Sequence, residues 1–160
     1  MIRVQQQDFD PGAEIAALSA GNHAIGGVAV FIGLVRDMAG EEAIGAMTLE
    51  HYPGMTERLL ARIETEANER WPLEATLIIH RTGRLEPGER IVLVATASAH
   101  RQAAFESCEF LVDWLKTKAP FWKLEERKSG TQWVQAKASD DTAVARWNTP
   151  GAGADSGAAE

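Results

Sequence analysis

The chain has 160 residues, 45% of them hydrophobic and 24% charged, with a formal net charge of −7. That size and balance predict one soluble globular domain burying roughly two-thirds of its unfolded surface. The acidic balance leaves no surplus of cations for a phosphate backbone, which excludes a general nucleic-acid binder but not a local cationic pocket for one small anion.

Ile2-Arg3-Val4 alternates as a short first strand, and Asp10-Pro11 reads as an N-cap followed by Pro at the first helical position, opening a helix to about Ala20. No signal-peptide pattern precedes them and no apolar run reaches membrane length, so the chain is expected in the cytoplasm, away from membranes. Residues Gly26 to Val35 form an almost unbroken apolar run, predicting a central strand buried on both faces, with its glycines marking a bulge or a close backbone approach. Arg36 to Glu42 is a polar loop, and a second long strand follows from Ile44 to Tyr52 with Met47 and Leu49 on one face. Leu59, Leu60, Ile63 and Ala67 recur at helical spacing and predict a helix over Met55 to Arg70, closed by Trp71-Pro72.

Leu77 to His80 and Arg90 to Thr96, joined through the Pro87-Gly88 turn, read as an antiparallel pair. Ser98 is the expected N-cap of the main helix, whose inward stripe is Phe105, Cys108, Val112 and Leu115, widened by Ala104 and Leu111. Cys108 is the only cysteine, so neither a disulfide framework nor a cysteine metal site is available, and it reads as a small core residue. Phe121 to Glu125 and Thr131 to Gln135 form a hairpin around Ser129-Gly130, with aromatic residues on facing strands. Ser139-Asp140-Asp141 is expected to cap a last short helix to Trp147. Residues 148–160 offer nothing to bury and read as a disordered tail. The order predicts an α+β fold with a mainly antiparallel sheet.

All five lysines (Lys116, Lys118, Lys123, Lys128 and Lys137) follow position 115, whereas every earlier fixed cation is an arginine. Lysine can lose its proton when desolvated and arginine cannot, so the junction Leu115 to Lys123 is a candidate for titratable amines, against the plainer reading of a solvated basic hairpin. Arg36 after a strand, and His100-Arg101 at a helix start where free N–H groups favour an anion, are further candidates. Brought together with Lys116 and Lys123, they would bind a phosphate or carboxylate and move a proton. His23, His51 and His80 lack metal-ligand spacing and read as structural.

At these residues the sequence resembles the catalytic, large subunit of molybdopterin synthase. The strings that carry the resemblance are Phe31-Ile32-Gly33-Leu34-Val35-Arg36, Leu49-Glu50-His51-Tyr52-Pro53-Gly54-Met55, Ile79-His80-Arg81-Thr82-Gly83, Ser98-Ala99-His100-Arg101 and Lys116-Thr117-Lys118-Ala119-Pro120-Phe121-Trp122-Lys123. The resemblance spans residues 1–147 as a single large-subunit domain. It implies an α/β hammerhead with an additional antiparallel sheet. It further implies conversion of cyclic pyranopterin monophosphate to molybdopterin, with sulfur from the C-terminal Gly-Gly thiocarboxylate of a small ubiquitin-like subunit. Two large subunits would form a homodimer inside a heterotetramer, and no metal or other cofactor is implied. Lys116 and Lys123 take the family's catalytic lysine positions. Arg36, His100 and Arg101 take those of the anion ligands, while Leu34-Val35 and Lys123-Leu124-Glu125 would line the pterin pocket. Leu34 stands where the family often has a basic or polar residue. Two other classes fit the residues alone: an anion-sensing module without turnover, and a lyase forming a Schiff base at Lys116.

Overall fold

In the computed structural model, the described residues are 1–37, 44–127, 129–134, 142 and 144–148. Two four-stranded sheets carry three helices there. The first sheet orders β1 (Ile2–Gln5), β4 (Leu73–Arg81), β6 (Arg90–Ser98) and β2 (Gly27–Leu34), with β1 parallel to β4 and the other pairs antiparallel. The second, wholly antiparallel, orders β5 (Gly83–Leu85), β3 (Ile44–His51), β7 (Phe121–Arg127) and β8 (Gly130–Val134). This is the α+β arrangement with an added antiparallel sheet that the resemblance implies. The short β5 adds to the expected elements; it peels the chain from β4 into the second sheet before β6 returns to the first.

Helix α1 (Pro11–Ser19) begins as its sequence dictates: the Asp10 carboxylate accepts from the N–H groups of Gly12 at 2.8 Å and Ala13 at 3.1 Å. Helix α2 (Met55–Arg70) spans the expected residues and buries Thr56, Leu60, Ile63 and Ala67. Helix α3 (Arg101–Thr117) lies against β2 and β6, and its buried side chains are Ala103, Ala104, Ser107, Cys108, Phe110 and Leu111. Around Phe110 the rings of Trp71, Trp114 and Trp147 pack at 5.3, 6.2 and 5.6 Å between centroids. No helix among the described residues is long and apolar enough to cross a membrane.

Three expectations are corrected. β2 is an edge strand, not a central one, and Val30, Ile32 and Leu34 are 38%, 37% and 54% exposed. Alternation places these three opposite Ala29 and Phe31, which meet α3, so apolar residues on both faces did not mean cover on both faces. Phe105 is 65% exposed because small residues, Ala103 and Ala104, take the closest contact with the sheet and rotate the helix away from the expected stripe. Ser98 belongs to β6, where its hydroxyl donates to Pro72 O at 2.8 Å; His100 is the N-cap, with no side-chain cap bond.

The glycines of β2 act as anticipated. A Cβ on Gly26 would stand 2.1 Å from Ala99 O, so only glycine lets the strand start so close to the chain entering α3. The pairing with β6 shifts register between Gly33 and Leu34, which is the bulge. The expected helix cap at Ser139 to Asp141, the loop core at 38–42, Lys128, Lys137 and residues 149–160 lie outside the described residues.

Candidate active site

The lysine junction is built by the end of one element and the start of another. α3 stops at Thr117; Lys118 N donates to Trp114 O at 2.8 Å, and Pro120, which has no N–H, then hands the chain to β7. Lys116 is exposed on the last turn of α3, and Lys123 is half-buried at the third position of β7, opposite Leu49 of β3. Val35 is buried with Met47, Leu49 and Leu85, and Phe121 packs against the same cluster. This small core brings the end of β2, and therefore exposed Leu34 and Arg36, to the end of the molecule that carries the lysine turn.

His100 and Arg101 do not join them within one chain. They lie beside Gly27, whose Cβ position is 3.8 Å from the Arg101 Cα, at the opposite end of β2 from Leu34. The seven steps of β2 span roughly 23 Å. The sixteen steps of α3 from Arg101 to Thr117 cover about 24 Å in the same sense. Leu124 faces away from Lys123 by strand alternation, on the side of Trp122, and pairs across the strands with Trp133. Glu125 is buried, and its Oε2 accepts from Arg127 Nε at 2.9 Å and from the terminal nitrogen at 2.6 Å. Its carboxylate is therefore committed to an arginine two residues along its own strand.

Two histidines read as structural from the sequence stand next to the lysine turn. His80 of β4 is 5% exposed and stacks on Phe121, with ring centroids 3.6 Å apart and planes at 11°. Its Nδ1–H donates to Arg81 O at 2.9 Å. Burial pushes this imidazole down to about 4; the bond to Arg81 works against that, and Lys123 and His51 lower it further. His51 of β3 flanks the same Phe121 ring at 6.3 Å, and its buried Nδ1 has no hydrogen-bond partner. The sequence signal was present, since both histidines lie in strings that carry the resemblance. Cys108 stays a protonated core thiol, pushed up to about 11 by burial. Among the described residues no three His, Cys, Asp or Glu side chains gather as metal ligands.

The described residues thus form a two-sheet α+β protein with a lysine-bearing turn at the end where Arg36 emerges. The family described as MoaE protein matches residues 4–118. The molybdopterin synthase catalytic subunit of Pseudomonas aeruginosa is 57% identical over 146 residues, covering 91% of this chain and 97% of that protein. Among solved structures, the molybdopterin biosynthesis MoaE protein of Burkholderia ambifaria MC40-6 aligns with a TM-score of 0.80 at 53% identity, over 93% of this chain and 98% of its own. Molybdopterin synthase from Staphylococcus aureus aligns with a TM-score of 0.77 at 31% identity, over 83% and 96%. The chain belongs to the MoaE family, that of molybdopterin synthase catalytic subunits, and is thereby an enzyme of molybdenum cofactor biosynthesis.

Proposed function

We propose that this chain converts cyclic pyranopterin monophosphate to molybdopterin in the cytoplasm, taking sulfur from the thiocarboxylated C-terminal Gly-Gly tail of a small ubiquitin-like subunit. The observation that carries the reading is the lysine turn: an exposed Lys116 and a half-buried Lys123 at the end of the fold where Arg36 also emerges. A thiocarboxylate is already a strong sulfur nucleophile, so neither a catalytic cysteine nor a metal need come from this chain. Its sulfur attacks a pterin side-chain carbon as the C–O bond to the cyclic phosphate breaks, opening the ring to a phosphate monoester. Water then cleaves the acyl–sulfur bond, leaving a thiol on the pterin and a carboxylate on the tail, and a second thiocarboxylated tail delivers the second sulfur with loss of water. The protein's part is to hold two anions, substrate phosphate and partner tail, in reacting geometry and to supply protons. Lys116 acts as the proton-transfer group beside the tail, and Lys123 holds the pterin or its phosphate.

The separation of His100-Arg101 from the lysines favours a homodimer as the functional unit, with one small subunit for each copy. The free edge of β2 is the meeting surface: its exposed Val30, Ile32 and Leu34 lie on one face, and on the other Phe31 lines a hollow with the exposed Phe105 of α3. A two-fold axis that sets β2 antiparallel to its copy carries His100 and Arg101 of the second copy to the Leu34–Arg36 end of the first. The anion pocket then draws on both chains.

The test is reconstitution of the purified chain with cyclic pyranopterin monophosphate and the small subunit, assayed for the dithiolene by mass spectrometry. Product is expected with the thiocarboxylated tail and none with the carboxylate form. A Lys116→Arg variant, which keeps charge but loses a titratable amine, should lower the rate by about 10²-fold or more. Full product formation by that variant would remove Lys116 from proton transfer. Borohydride trapping of a carbonyl substrate on Lys116 would instead support the lyase reading.

A further inference from the structure

Between Lys116 and Lys123 the chain is exposed or half-buried throughout, so something outside the turn must fix it. Within that segment only Phe121 packs against both the large core under α3 and the small cluster of Val35, Met47, Leu49 and Leu85. It begins β7 two residues before Lys123, on the same strand face, and its ring lies flat against His80 at 3.6 Å. His80 belongs to the first sheet and Phe121 to the second, so this contact ties the two sheets together beneath the turn. The plate is itself held from behind, because the His80 Nδ1–H is committed to Arg81 O.

We propose that His80 is a positioning residue for Lys123: its buried ring, clamped on Phe121, fixes the start of β7 and hence where the lysine ammonium points. The proposal rests on the lysine turn being the reaction site. A flat, uncharged ring is what the place requires. An aliphatic side chain would leave one face of Phe121 without close contact, and β7 could then slide or tilt by the small distances that matter in a site of this kind.

Three variants separate the possibilities in the reconstituted reaction. His80→Phe keeps a plate of similar size, His80→Leu removes it, and Phe121→Leu removes the opposite half of the stack. The expected result is a raised KM for the pterin substrate and a fall in kcat/KM of about tenfold or more for both leucine variants, with His80→Phe within about threefold of the parent in both. Parent-like kcat/KM in His80→Leu, or an equal loss in His80→Leu and His80→Phe, overturns the proposal. A second readout needs no turnover: the ¹³C-methyl NMR signal of reductively methylated Lys123. It should move towards that of exposed Lys118 in the leucine variants and stay in place in His80→Phe; an unmoved signal in both leucine variants also overturns the proposal. If the unmodified chain yields no dithiolene, the sulfur-transfer reading fails while the lysine signal still decides the role of His80.

Discussion

Residue His80 couples site geometry to acid stability. Its imidazole titrates near 4 in the folded chain against 6.5 for the free side chain, so the unfolded chain takes up a proton first as pH falls. The folded state is therefore at full strength, as far as this group is concerned, above pH 6.5, and loses stability as pH drops from 6.5 to about 4. The slope is at most about 1.4 kcal/mol per pH unit. Asp8 acts lower: its hydrogen bond to Arg90 holds it at about 2, so its contribution is present above 3.8 and lost as pH falls through 2. Urea midpoints measured at pH 7 and pH 4.5 should converge in His80→Phe and diverge in the parent. Parallel loss in both proteins would show that His80 does not titrate in this window.

Elements differ in how plainly their residues announce them. α2 was legible from Met55 to Arg70 because Leu60, Ile63 and Ala67 keep helical spacing and Trp71-Pro72 closes the run. β2 was legible as a strand but not as an edge, because periodicity reports which faces are apolar and not what covers them. The phase of α3 was missed for a related reason: Phe105 outranks Ala103 and Ala104 in hydrophobicity, yet close approach to a sheet selects small side chains. The lysine turn stood out through clustering along the chain. The His51–Phe121–His80 group did not, since its histidines arrive from β3 and β4 and meet only when the two sheets pack. Gly26 tests how far an element boundary controls the site. A methyl group added there would stand 2.1 Å from Ala99 O, so Gly26→Ala must push the starts of β2 and α3 apart. A loss of about 1–3 kcal/mol in urea unfolding is expected. The displaced Arg101 should also raise the KM for the phosphate-bearing substrate; an unchanged KM and midpoint would show that this approach is not a constraint.

At the scale of the whole molecule, the single chain holds the residues of the proposed anion pocket at two ends. Arg36 and the lysine turn sit at one, and His100-Arg101 lie at the other, about a helix length away. The proposed active unit is accordingly a pair of chains, each lending its α3 start to the lysine turn of the other. Complementation measures this directly. Lys116→Ala and Arg101→Ala chains are purified, shown inactive separately, then unfolded, mixed and refolded together before reconstitution with the thiocarboxylated small subunit. Random pairing leaves half the dimers mixed, each with one intact site, so the mixture should recover about a quarter of the parent's dithiolene formation. A mixture as inactive as its components would contradict a site shared between two copies, and with it the assembly on which this sulfur-transfer mechanism depends.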